Sequence, residues 1–186
     1  MKPPLLALLI LLVSAPQARS ASKPVRKGFT VEFGIGVGAL VISGLDRYGE
    51  EKRDFGFEPH ALSLGAFLRK DLALVLRWKS TYHFTPNAVF EDAQQFLGTQ
   101  TANLQWWLSD RLFVGGGPGV ALFGFGFGGH DKDASWSVGG ALDARVGYAF
   151  FVTTHHALSL SFEAVVGFFG SGVALGQTVN VGYQYY

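Results

Sequence analysis

Apolar and polar residues alternate along most of this chain, and Gly28–Ile42 (GFTVEFGIGVGALVI) shows the pattern most clearly. Phe29, Val31, Phe33, Ile35, Val37, Ala39 and Val41 share one parity, while Thr30, Glu32, Gly34, Gly36 and Gly38 share the other. A period of two sustained this long predicts a β-strand with one apolar face. Three alternate glycines would be very poor in a helix interior. At ~3.3 Å per residue the run reaches roughly 50 Å, well beyond an ordinary strand of ~17–20 Å. Such a strand suits a sheet crossing a bilayer at a tilt of ~45°.

The same logic predicts seven more strands. The second, His60–Leu68, places Leu62, Leu64, Ala66 and Leu68 on one face. The third, Leu72–Phe84, sets Leu72, Leu74, Leu76, Trp78, Tyr82 and Phe84 against Arg77, Lys79, Thr81 and His83. With the opposite parity outward, Arg77 and Lys79 would meet lipid at ~2–4 kcal/mol each near the midplane, so they are assigned inward. The fourth strand, Gln94–Leu108, puts Ala102, Leu104, Trp106 and Leu108 outward and Thr101, Asn103 and Gln105 inward.

The fifth strand, LFVGGGPGVALFGFGF from Leu112, changes parity: Leu112 and Val114 lie on one, Phe123, Phe125 and Phe127 on the other. Pro118 lies between them, and a one-residue bulge near Gly117–Gly119 is expected to reconcile the two halves. The sixth strand, Trp136–Phe150, sets Val138, Leu142, Val146, Tyr148 and Phe150 against Ser137, Asp143 and Arg145. The seventh, Ala157–Phe168, sets Leu158, Leu160, Phe162, Ala164 and Val166 against Ser159, Ser161 and Glu163. The eighth, Leu175–Tyr186, turns Val179, Val181, Tyr183 and Tyr185 outward.

Arg69-Lys70-Asp71, Ser109-Asp110-Arg111 and Phe151–His156 read as tight turns after even strands. Ser43–Glu58, Thr85–Asp92 and Gly128–Ser135 read as longer polar loops after odd strands, with Gly170–Gly172 the short exception. That asymmetry is expected of an eight-stranded antiparallel up-and-down transmembrane β-barrel, all-β, with short periplasmic turns and longer external loops. Eight strands leave a lumen just wide enough for side chains to fill, so the interior is expected to be polar and packed rather than an open channel.

Alternation alone leaves open which face meets the outside. A soluble calycin-type barrel, binding a small hydrophobic ligand in the periplasm, would turn its apolar face inward. The polar face here is mostly glycine, serine and threonine with few charges, a poor surface for water and a good packed interior. Aromatic residues also gather near strand ends: Phe29, Trp106, Phe150, Tyr183 and Tyr185 at one, Tyr82, Phe84, Trp136 and Phe168 at the other. Two such belts mark bilayer interfaces. The membrane orientation predicts an interior charge network of Glu32, Arg77, Lys79, Asp143, Arg145 and Glu163, three acids against three bases, since pairing lets such groups tolerate burial.

Composition sharpens this picture. The chain contains 25 glycines, is 15% aromatic and only 16% charged, against about 25% for a soluble domain. It has no cysteine, so no disulfide, thiolate metal site or lipid-modified cysteine is expected. Lys2 followed by Leu5–Val13 and the small residues of Ser14–Ser20 reads as a secretory signal peptide over 1–20; nine apolar residues are far too few to span a membrane. Residues 21–27 read as a short periplasmic leader, and 28–186 as the barrel. Cleavage after Ser20 takes 20 of the 186 residues and leaves 166. Removing Lys2 and Arg19 leaves 13 basic against 14 acidic residues, a balance that gives no support to nucleic-acid binding.

The signal peptide, FTVEFGIGVGALV, GGGPGVALFGFGFG and the ending VNVGYQYY together resemble the small outer-membrane β-barrel proteins of Gram-negative bacteria, the group of the outer membrane protein A barrel and the opacity-type adhesins. The resemblance implies a structural or binding barrel in the cell outer membrane; no enzyme activity and no cofactor are expected. Its implied partners are the lipid bilayer, lipopolysaccharide and the barrel-assembly machinery. It also implies that Val179, Val181, Tyr183, Tyr185 and Tyr186 form the C-terminal insertion signal. Family members usually close on an in-register phenylalanine, whereas here Tyr185 keeps the outward parity and Tyr186 is one residue beyond. No peptidoglycan-binding domain is expected after the last strand.

Some small outer-membrane barrels modify lipids, and a Ser-His-acid site here would draw on His60, His83, His130, His155 or His156. The H-x-S-N motif of lipid A deacylases is absent: His60-Ala61-Leu62-Ser63 and His156-Ala157-Leu158-Ser159 have the wrong spacing. His155-His156 is a weak metal motif, better read as a solvated turn. The alternating glycines lack the spacing and following helix of a phosphate loop. Recognition is therefore expected in the loops, where rigid frames carry it.

Overall fold

The computed structural model describes residues 23–45, 52–83, 95–125 and 136–186. Its eight strands are β1 (Gly28–Ser43), β2 (Lys52–Arg69), β3 (Leu72–His83), β4 (Gln95–Trp107), β5 (Leu112–Phe125), β6 (Trp136–Val152), β7 (His156–Phe169) and β8 (Gly172–Tyr185). Each pairs antiparallel with its neighbours in sequence, and β1 pairs with β8 from Val31↔Tyr185 to Ser43↔Val173, closing the barrel. Closure leaves no free edge, and every strand can satisfy its backbone within the wall. The turns after β2, β4, β6 and β7 are short, as read from the sequence. The expected signal peptide, 1–20, lies outside the described residues, as do Phe84, Thr85–Asp92, Gly128–Ser135 and residues 46–51 of the first loop.

The side-chain parity is that of a bilayer barrel. Phe33, Ile35, Leu76, Leu104, Leu142, Phe162 and Val181 all stand on the outer wall, each about half exposed, while the charged residues of β1, β3, β6 and β7 are buried. This excludes the inward-apolar arrangement that a calycin-type ligand barrel needs. Water would leave this wall as one continuous apolar surface, far larger than the few hundred Å² that soluble proteins tolerate.

Three sequence expectations change. No bulge lies near Pro118: β5 keeps one register with β6 from Leu112↔Tyr148 to Gly124↔Trp136. The β4–β5 pairing omits Ala102–Asn103 opposite Gly117–Pro118 and resumes in the same register. Proline removes one donor, and the rungs on either side hold the strand in place. Phe123 therefore points into the lumen, almost fully buried, rather than out to lipid. A proline does occupy a bulge, but it is Pro59: the β2–β3 register shifts between Phe57 and His60, and β1–β2 shifts opposite it between Gly34 and Gly36. Consequently β2 begins at Lys52 rather than His60, and Glu58, expected in a solvated loop, belongs to the wall and faces inward at 0% exposure. Finally, β8 begins at Gly172, three residues before the expected Leu175.

Candidate functional site

The lumen has three layers. At the loop end Leu40, Ile42, Leu97, Phe123 and Val165 form an apolar cluster with Phe169 packed against it, the Phe123 and Phe169 rings 5.9 Å apart. At the short-turn end Trp107, Phe113, Val152 and Tyr186 form a second, with Phe67 beside it. Between them lie the charges. Each apolar cluster caps the polar layer.

All six predicted interior charges are in the middle layer, and Glu58 joins them. Arg77 on β3 reaches Glu163 on β7 with bonds of 2.6 and 2.8 Å, and Glu32 on β1 at 3.4 Å. Its Nε lies 3.9 Å from Asp143, which also accepts from the Asn103 amide at 2.9 Å. Lys79 donates to Glu163 at 2.8 Å and lies 3.2 Å from Glu58. Arg145 donates to Glu32 at 2.7 Å and to the Gln105 amide oxygen at 2.7 Å. Gln184 extends the layer downward by donating to the Thr30 hydroxyl at 3.0 Å. Four acids thus meet three bases, so the network carries one more formal negative charge than the sequence predicts, and the surplus acid is Glu58. Its signal was the Pro59 beside it, which reads as a loop breaker in sequence and acts as a bulge in the wall.

Tyr186 is not surplus to the last strand. It turns inward, 3% exposed, with its ring edge-on to Phe67 at 6.0 Å and to Trp107 at 6.2 Å. Its backbone N–H donates to the His155 carbonyl at 2.9 Å. Arg26, in the leader before β1, lays its guanidinium 3.8 Å over the Trp107 ring and 5.4 Å from that of Tyr186. It also donates to the Asp110 carbonyl, and Val25 donates to Thr154 at 2.9 Å. The leader is thus stitched across the barrel mouth. Burial raises the Tyr186 phenol above its ordinary value, with the Arg26 charge opposing. Burial likewise lowers Arg26.

Solved structures share this fold. Ail, the attachment invasion locus protein of Yersinia pestis, solved with the heparin analogue sucrose octasulfate, matches at a TM-score of 0.58 and 14% identity, covering 85% of this chain and 99% of that one. Neisserial surface protein A matches at 0.58 and 18%, covering 85% and 96%. The N-terminal β-barrel domain of Pseudomonas aeruginosa OprF matches at 0.50 and 14%, covering 84% and 97%. No protein-family model matches the sequence, and no curated protein matches it either. The chain has the fold of the small Gram-negative outer-membrane barrels. At these identities the likeness is one of architecture.

In an outer-membrane-type barrel the outward aromatics near strand ends belong at the interfaces. Phe29, Trp106, Phe150, Tyr183 and Tyr185 do stand outward at the short-turn end. At the loop end Trp136 stands outward, and Tyr82, Phe96 and Trp136 run in a contiguous row, their rings 5.0 and 6.1 Å apart. Phe96 belongs to that belt although the sequence reading omitted it. Val179 and Val181 complete the outward face of β8.

Three histidines, His60, His155 and His156, are bound into the wall and turns. His156 Nδ1 lies 2.6 Å from the Tyr183 hydroxyl, and His155 Nδ1 lies 3.1 Å from the Tyr186 carbonyl oxygen. His60 Nε2 lies 2.9 Å from the Ser80 hydroxyl on the outer wall. That hydroxyl–imidazole pair has no carboxylate orienting its ring among the described residues, so the third member of a nucleophilic triad is missing. Among the described residues no group of three potential ligands could hold a metal ion.

Proposed function

We propose that this protein is an exported outer-membrane barrel that keeps its own lumen closed and presents the connections after β1, β3 and β5 at the cell surface as a structural or binding platform. The observation that carries the reading is the inversion of the wall: a paired charge network inside, large apolar side chains outside, and an apolar stopper at each end of the lumen. A plugged barrel of eight strands supports a scaffold role rather than a diffusion pore. Ail is described as an attachment invasion locus protein, and attachment through the loops is the class of role we propose here. The bilayer, with lipopolysaccharide in its outer leaflet, and the barrel-assembly machinery acting on β8 are the proposed partners. Residues 1–20 act as the signal peptide in this reading.

Cell fractionation combined with epitope display tests the proposal. The wild-type chain is expected in the outer-membrane fraction, with a mobility on denaturing gels that changes on boiling. An epitope inserted within residues 46–51 is expected to bind antibody on intact cells. One placed in the turn at residues 153–155 should bind only after permeabilisation. Recovery as a soluble periplasmic protein, or the reverse labelling, would overturn the reading.

A further inference from the structure

The outer wall is apolar almost everywhere. Outward positions of β6 and β7, from Trp136 to Phe150 and from Leu158 to Phe168, carry no charged or amide side chain. Across β2 to β4 the wall differs. His60, Ser80 and Gly98 are register neighbours, and beside them Trp78, Gln100 and Val120 form the next row. Above both lies the aromatic row of Tyr82 and Phe96. Two adjoining hollows of about 290 and 260 Å³ open on this patch, sharing Trp78, Gln100 and Val120 as lining. Phe96 folds back over Gly98, whose missing side chain leaves it room; a Cβ there would stand 2.6 Å from the ring.

Gln100 is exposed into these hollows, and its amide has no hydrogen-bond partner among the described residues. In water such an amide costs nothing. In hydrocarbon an unpaired amide costs several kcal/mol. Gln100 stands eight residues along the chain from Leu108 at the short-turn end. At ~3.4 Å per residue and a tilt of ~40°, that is ~20 Å up an apolar band ~25 Å tall. The patch therefore faces the level where acyl chains join their headgroups in the outer leaflet.

We infer that this patch is a lipid site, and that its occupant is a lipopolysaccharide acyl chain lying in the double hollow against Trp78. An amide both donates and accepts, and the His60–Ser80 pair can do the same. Ester-linked plain chains offer acceptors alone. Amide-linked, hydroxylated chains offer donors and acceptors together, and so complement the patch. The inference rests on the outer-membrane reading above.

Native mass spectrometry on barrels refolded into mixed phosphatidylcholine–lipopolysaccharide vesicles and extracted in mild detergent tests it. Wild type is expected to retain lipopolysaccharide. Q100L, which removes the amide, and V120F, which fills both hollows, should each lose at least tenfold of that retention while keeping the heat-dependent gel shift. Q177L, on the outer face of β8, serves as control and should retain it fully. Equal retention by wild type, Q100L and V120F would overturn the inference, as would retention of phosphatidylcholine without preference. Failure of the wild type to insert into either vesicle would instead sink the outer-membrane reading.

Discussion

Arg77 and Glu163 join strands on opposite sides of the barrel, with two bonds of 2.6 and 2.8 Å across the lumen. β3 pairs with β2 and β4, and β7 with β6 and β8, so no backbone bond links them. The forked guanidinium matches the carboxylate geometry, and in this dry interior each charge is worth more to the other than it would be at a surface. Lys79 and Glu32 then attach to the same pair, so one contact organises the middle layer.

Breaking that pair from one side leaves a buried charge uncompensated. Glu163→Gln and Arg77→Met are each expected to cost about 3–5 kcal/mol. The double variant should recover part of that loss, because neither charge is then left alone. Urea titration of barrels folded in vesicles reads this directly. Additive losses would contradict a shared network.

The stopper at the short-turn end makes a second prediction. Tyr186→Ala removes a ring packed on Phe67 and Trp107, and truncating a buried aromatic costs about 3–5 kcal/mol. Arg26→Ala should cost less, about 1–2 kcal/mol, as a cation stacked on an indole. If Tyr186→Ala left the urea midpoint unchanged, the terminal residue would be a bystander after all.

Alkaline stability should report on the same residue. Burial raises the Tyr186 phenol, so the folded barrel keeps its proton at pH values where the unfolded chain has released it. That contribution is complete below the ordinary phenol value of about 10 and fades as pH climbs through the folded value. Tyr186→Phe has no proton to lose and should flatten the decline above pH 10. A decline equally steep in Tyr186→Phe and wild type would refute the assignment.

Depth in the bilayer can be read from two leucines of similar exposure, Leu76 at mid-strand and Leu108 near the short turns. Leu76→Arg is expected to cost about 2–4 kcal/mol, and Leu108→Arg about 0–1 kcal/mol, because a charge near the interface can reach water. Equal costs in vesicles would show that Leu76 is not held in hydrocarbon.

Much of this architecture was already legible in the residues. Alternation placed the strands and their outward faces, since a strand's two faces are a local property of the backbone. The assignment of Glu32, Arg77, Lys79, Asp143, Arg145 and Glu163 to the interior followed from the cost of a charge in lipid alone. What only the tertiary structure decided is where the pattern bends. Pro59 and Pro118 look alike in sequence as breaks in a ladder. One sits opposite a shift in β1 and swings Glu58 into the lumen, while the other is held in register by the strands on either side. The same holds for the stoppers. Phe123, Tyr186 and Arg26 acquire their roles from strands and turns that meet them only on closure, and closure is a long-range event that no local pattern encodes.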